Sequence, residues 1–342
     1  MKCVFRVAAV ACAAALTTLP SLAQEKVLNL YSARHYSTDE ALYSNFTKAT
    51  GIRINRIEAG DEALLERLAN EGANSPADVV LLVDAARLAK AQQAGLFQPV
   101  QSQALTSRIP ANLRAPDGSW YAFSTRARVV VYNKGTVKAE DVDTYEELAE
   151  AKNKGKVCTR SGSHPYQLSL AASLIEHHGE AKTEEWARGV VANMARPPRG
   201  GDTDQIKGVA TGECGVALSN SYYVARLMRS DKAEDKDTMQ KVGVIWPNQG
   251  NRGTHVNISG GAVAKSSKNR DAAVKFLEYL ATDEAQGYFA NGNNEWPVVK
   301  ATSFKNPALE QLGDFKADPL PVAALLKNAA AAQKVMDRAG YK

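Results

Sequence analysis

Along this chain, short runs of apolar and β-branched residues alternate with longer stretches whose apolar positions recur at helical spacing. Val27-Leu-Asn-Leu-Tyr31 predicts an opening strand. A helix is expected from Thr38 or Asp39, capped by those side chains, with Leu42, Phe46 and Ala49 on its apolar face and Gly51 as its stop. Ile52 to Ile57 alternates as a second strand, Asp61 to Leu68 has helical spacing, and Asp78 to Val83 is an apolar run of the kind a parallel sheet buries on both faces. The order β-α-β-α-β predicts an α/β lobe. Trp120 to Tyr132 is then a long strand-like run without Gly or Pro, able to cross between two lobes. Beyond it the pattern predicts helix 144–152, strand 155–159, helices 166–178, 183–193 and 203–211, strand 214–218 and helix 222–230. Strands at 242–246 and 253–264 follow, the second read as a return crossing to the first lobe. A helix over 269–280 closes the core, and terminal helices lie beyond Trp296-Pro297. The expected fold class is α/β, with a first lobe over 24–124 and 249–299 and a second over 125–248 and 300–342. A chain of 342 residues also exceeds the roughly 250 at which single cores stop growing.

The first residues change the picture of where this protein works. Lys2 and Arg6, the apolar run Val7 to Leu16, and Leu19-Pro-Ser-Leu-Ala23 have the order of a secretory signal cleaved after Ala23. No later run reaches the roughly 18 apolar residues of a spanning helix, so an exported periplasmic protein without stable membrane insertion is expected. Losing residues 1–23 removes two positive charges from a formal net charge of +5. The remaining basic residues are dispersed, which does not suit a nucleic-acid partner. Of four cysteines, Cys158 and Cys214 remain; in an oxidising compartment they can pair, the alternative being two separately buried thiols.

The candidate chemistry centres on Ala217-Leu-Ser-Asn-Ser-Tyr-Tyr-Val-Ala-Arg226, where a strand is expected to become a helix. Adjacent residues on a strand face opposite ways, but in the first turn of a helix they stand about 100° apart and can lean on one point. Asn220 and Ser221 are both good N-caps and put Tyr222 and Tyr223 in that turn, where the helix dipole favours phenolate charge. Taken alone, the pair reads first as two half-buried aromatics in a lobe wall. No Gly-x-Ser-x-Gly, His-Glu-x-x-His or Walker loop occurs. Asp141 to Lys152 fails as a calcium loop and reads as a capped helix start, His177-His178 closes a helix, His164 is a solvated loop residue, and Arg199 to Asp204 is a tight turn into an N-capped helix.

The tract from Gly261 to Gln286 resembles the late signature of periplasmic solute-binding proteins of ABC importers. Tyr31-Ser-Ala-Arg-His-Tyr36, Ser124-Thr-Arg-Ala-Arg-Val129 and Asn220-Ser-Tyr-Tyr223 narrow the likeness to the ferric iron-binding proteins, from about Val27 to about Val299. The resemblance implies a two-lobe type II solute-binding fold hinged by two crossing strands, with the ligand site in the cleft. It implies a monomer that breaks no bond in a substrate, binds Fe(III) and delivers it to an inner-membrane ABC permease. Ferric iron is hard and prefers anionic oxygen; the likeness assigns Tyr222, Tyr223 and Tyr166 as ligands from one lobe. Across the cleft, family members use a His at the position of His35 or a Tyr at that of Tyr36. This chain has both, and the harder oxygen favours Tyr36. An acidic ligand used by one branch has Val83 in its place here, with Asp84 beside it. Arg34 and Arg126 suit a synergistic anion, carbonate or a small carboxylate, with Thr125 as a further donor; Arg128 is read as structural. The rival readings are capture of an organic or oxyanion solute by Arg34 and Arg126, and a secreted metal-dependent hydrolase or oxidase.

Overall fold

A computed structural model describes residues 26–34, 38–299 and 303–342; the expected signal segment, His35 and Tyr36 lie outside the described residues. The first half runs β1 (Val27–Ser32), α1 (Asp39–Thr50), β2 (Arg53–Glu58), α2 (Asp61–Glu71), β3 (Val79–Leu82), α3 (Ala85–Gln93), β4 (Phe97–Gln98) and α4 (Gln103–Arg108). β1 lies between β2 and β3, parallel to both. All four residues of β3 are buried, as its unbroken apolar run requires of a strand covered on both faces.

β5 (Tyr121–Asn133) is common to two lobes. The second lobe follows with β6 (Val157–Cys158), α5 (Pro165–His178), α6 (Glu180–Ala192), α7 (Asp202–Thr211), β7 (Val216–Asn220), α8 (Ser221–Met228), α9 (Ala233–Lys241) and β8 (Val242–Ile245). The chain returns along β9 (Val256–Ala264) to α10 (Arg270–Leu280), α11 (Asp283–Asn293) and β10 (Trp296–Pro297), and ends in α12 (Pro307–Leu312), α13 (Val322–Lys327) and α14 (Ala329–Arg338). Residues Tyr121 to Ala127 of β5 pair antiparallel with β9, which also pairs β3; from Arg128 onward β5 pairs with β7, and from Val130 with β8. Side chains alternate across this strand. Val130 therefore joins the large core with Val216 and Leu218, while Val129 and Val131 join a second core with Cys158, Ile206 and Ala217. Among the described residues no helix is long and apolar enough to cross a membrane.

Several local expectations give way to tertiary contacts. Residues 144–152 form two 3₁₀ turns, Glu146–Ala149 and Ala151–Asn153, in place of a helix. Thr144 and Glu147 bond each other's backbone N–H groups, Glu150 is extended, and the Asn153 amide takes the carbonyl oxygens of Asp141 and Glu147. Those side chains satisfy the backbone without an α-helical ladder. Neither Thr38 nor Asp39 caps α1 by its side chain: Thr38 bonds Asn293, and Asp39 pairs with Arg34. Ala49 is exposed. The pattern also does not predict α9, whose buried positions are Asp235 and Thr238, or α11, whose stripe is interrupted by Gly287 and Gly292.

Cys158 and Cys214 are joined by a disulfide, with Cα atoms 5.7 Å apart and a sequence separation of 56. Closing a loop of that length removes about 4 kcal/mol of chain entropy from the unfolded state. The Cys158→Ala/Cys214→Ala variant should accordingly unfold at lower denaturant. An unchanged midpoint would show that the bridge contributes nothing to stability.

Candidate metal centre

Two helix starts build this site. His164 is the N-cap of α5: its Nδ1 accepts the N–H of Tyr166 at 3.2 Å, and Pro165 occupies the first turn. It is therefore a cap and not a solvated loop residue. Burial first, and then the nearby Arg160 and Arg128, push its pKa down to about 3, which keeps the ring neutral and Nδ1 able to accept. The imidazole also packs edge-on against the Tyr166 ring, with centroids 4.5 Å apart.

Tyr222 and Tyr223 lie in the first turn of α8, after Asn220 in extended backbone. The two polar residues expected to cap this helix serve another purpose. Asn220 accepts from Arg128 at 3.1 Å and Ser221 Oγ accepts the N–H of Ala127 at 3.1 Å, so both moor the helix start to β5. The rings of Tyr222 and Tyr223 sit 4.3 Å apart at 32°. The hydroxyls of Tyr166 and Tyr222 are 3.0 Å apart. Tyr222 is buried and the other two rings are partly open. The structure thus brings three phenols from two helix N-termini into one cluster.

Cations surround that cluster. Arg160 lies 5.0 Å and Arg128 5.9 Å from the Tyr166 ring centre, and Arg226 lies 5.0 Å from that of Tyr223. Burial nevertheless dominates at Tyr166 and pushes its phenol up to about 12, against the pull of Arg126 and with the help of Tyr223. Asp202 holds the arrangement from behind. Its fully buried carboxylate accepts from Arg128 at 2.6 Å, from the Asn220 N–H at 2.7 Å and from Arg160 at 3.2 Å. Arg128 also donates to Gln167 at 2.6 Å, consistent with a structural arginine.

Arg126 is buried and donates to Ser259 at 2.6 Å. It lines a small crevice with Arg128, Tyr166, Asn220, His255 and Asn257. Arg34 is buried too, but against carboxylates: Asp39 at 2.8 Å and Glu295 at 3.2 Å. The other oxygen of Glu295 is 3.7 Å from Arg126, so the two arginines converge on one buried protein carboxylate, which also accepts from Ser124 at 2.7 Å. Thr125 donates to the Trp296 carbonyl at 3.4 Å. Asp84 is the N-cap of α3 and is buried. Glu295, Asp39 and Asp202 carry no local signature. Glu295 and Arg34 are 261 residues apart in sequence, and only the return of the chain through β9 makes them neighbours. Among the described residues no group of three or more His, Cys, Asp or Glu side chains could hold a metal ion.

Comparison with known proteins shows the family. The bacterial extracellular solute-binding protein family matches residues 31–287. The chain is similar to Iron uptake protein A1 of Synechocystis sp. (strain ATCC 27184 / PCC 6803 / Kazusa), 49% identical over 319 residues that cover 93% of this chain and 88% of that one. It is similar to the Fe(3+)-binding periplasmic protein of Serratia marcescens, 26% identical over 312 residues, covering 91% and 89% of the two chains. Among solved structures it is similar to Trichodesmium FutA (IdiA) in complex with iron and citrate, at 53% identity and a TM-score of 0.89 over 92% of this chain and 100% of that one.

Proposed function

This chain belongs to the bacterial extracellular solute-binding proteins, and we propose that its solute is ferric iron, held in the cleft and delivered to an inner-membrane ABC permease. The observation that carries the reading is the phenol cluster: the Tyr166 and Tyr222 hydroxyls 3.0 Å apart, with the Tyr223 ring 4.3 Å from that of Tyr222. Three phenols held together at two helix N-termini are a donor set of hard oxygens once their protons leave, and a bound cation makes that loss favourable. On the sequence resemblance a further ligand comes from Tyr36, the harder donor, or from His35. The protein works in the periplasm as a monomer and breaks no bond in its cargo. Its two lobes comprise 24–124 with 249–299 and 125–248 with 300–342.

A small carboxylate or carbonate completes the site, taken by Arg126 with Arg34 and Thr125. Glu295 already places a carboxylate between the two guanidiniums, so an external anion competes with it. Arg126→Ala should make iron affinity less dependent on added bicarbonate or citrate, whereas Glu295→Gln should make it more dependent. Titrations with each anion check both, and identical anion dependence in parent and variants would remove this region from anion binding.

The reading itself is tested by purifying the protein without chelator and recording metal content with a visible spectrum. A tyrosinate-to-iron charge-transfer band is expected. A colourless protein that gains no band with ferric citrate would sink the proposal, and tight capture of an oxyanion without metal would replace it.

A further inference from the structure

A buried chain of polar side chains runs between the two lobes directly behind the tyrosines. Asp84 caps α3 by accepting the N–H of Ala86 at 2.7 Å. Its other oxygen accepts from the side-chain amide of Asn257 at 2.8 Å, and the same amide nitrogen donates to Ser169 Oγ at 2.7 Å. The Asn257 carbonyl oxygen takes the N–H of Ala85 at 3.0 Å and that of Ile258 at 2.8 Å. Ser169 Oγ lies in turn 2.9 Å from His255 Nε2. Asp84, Ser169, His255 and Asn257 are each 6% exposed or less, so bulk water cannot replace a lost partner.

The three elements joined here have different loyalties. Asp84 and α3 belong to the sheet of β1 and β3, Asn257 stands on β9 opposite Arg126, and Ser169 lies on α5. Ser169 follows Tyr166 by three residues, and residues so spaced share one face of a helix. Whatever sets Ser169 against α3 therefore sets Tyr166 against the opposite wall. A planar amide suits this junction because it offers two donors and an acceptor at fixed angles. A carboxylate would repel Asp84, and an apolar side chain would leave Asp84, Ser169 and the Ala85 N–H with unmet hydrogen bonds.

We propose that Asn257 is a positioning residue, an interlobe latch that ties α5, and with it Tyr166, to α3 across the cleft and so slows the escape of bound iron. The proposal rests on the reading of Tyr166 as an iron ligand. Its effect is on the relation of the two walls, while the ligand set stays the same.

The test uses the iron-loaded protein with Asn257→Ala, Ser169→Ala and the double variant. Decay of the visible band into excess chelator gives the release rate, and small-angle scattering of the iron-free proteins gives the lobe separation. Each single variant should release iron about tenfold faster or more, the scale of one lost buried hydrogen bond, with the band maximum unmoved. The double variant should match Asn257→Ala, because both changes cut one link. Release within twofold of the parent in both single variants, or effects that multiply in the double, would overturn the latch. Should Asn257→Ala fail to fold, Ser169→Ala removes a single hydroxyl and decides alone. Absence of any band in the parent would fail the iron reading instead, and the scattering then judges the latch by itself: wider separation in the variants supports it, and an unchanged profile overturns it.

Discussion

Tyr222→Phe and Tyr223→Phe should each fold as the parent does, yet lose iron affinity by more than about a hundredfold and shift or abolish the visible band. The bound on affinity follows from scale: deleting a group that merely orients a metal ligand costs about 10- to 100-fold, so deleting the ligand atom itself costs more. The fold should survive because phenylalanine keeps the ring. Tyr222 retains its packing beside Tyr223 and loses the hydrogen bond to Tyr166, a net change of about 1 kcal/mol. The two variants should not be equivalent. Tyr222 is buried and coupled to Tyr166 through its hydroxyl, whereas Tyr223 is partly open and flanked by Arg226. Removing Tyr222 therefore also frees the Tyr166 hydroxyl from its partner, and the loss of affinity should be the larger of the two. Competition against citrate, read beside the spectrum and a thermal melt, checks all three statements. An unchanged spectrum in both variants would remove the pair from the site.

The contrast between what was legible in the sequence and what was not has one physical source. Elements with a local apolar pattern declare themselves, β3 by its unbroken run and α2 by Leu64, Leu65 and Leu68 at helical spacing, since pattern and burial are then the same fact. So did the place of Tyr222 and Tyr223 at a strand-to-helix junction. Asn220 and Thr38 stand at N-cap positions without a side-chain cap bond, because their side chains, like that of Ser221, have partners far away in sequence, and a side chain with two possible bonds cannot be read from its own neighbourhood. His164 departs from expectation in the opposite direction: a cap made by an imidazole lies outside the usual Ser, Thr, Asp and Asn set. Glu295 was invisible for a third reason. A buried carboxylate between two arginines is defined only when β5, β9 and the turn after α11 come together, and none of these segments carries a motif for it. For Arg34 and Arg126 the sequence points to an anion site, and the fold adds a protein carboxylate between them.

Affinity for iron should fall steeply with acid, and the slope should report how many phenols take part. Burial pushes Tyr166 up to about 12, so at neutral pH its hydroxyl holds a proton that iron must displace. Each displaced proton lowers the apparent association constant about tenfold per unit of falling pH; three phenols together give a loss of about 10³ per unit. The sign is fixed by the group: a neutral acid with a raised pKa binds its proton more tightly in the empty site, and so opposes the cation more as protons become abundant. Proton release on loading, measured by pH-stat in weak buffer, gives the number directly. Three or more are expected for the parent and one fewer for Tyr166→Phe; release of a single proton, unchanged in that variant, would show that the tyrosines pack around the cleft without holding the metal.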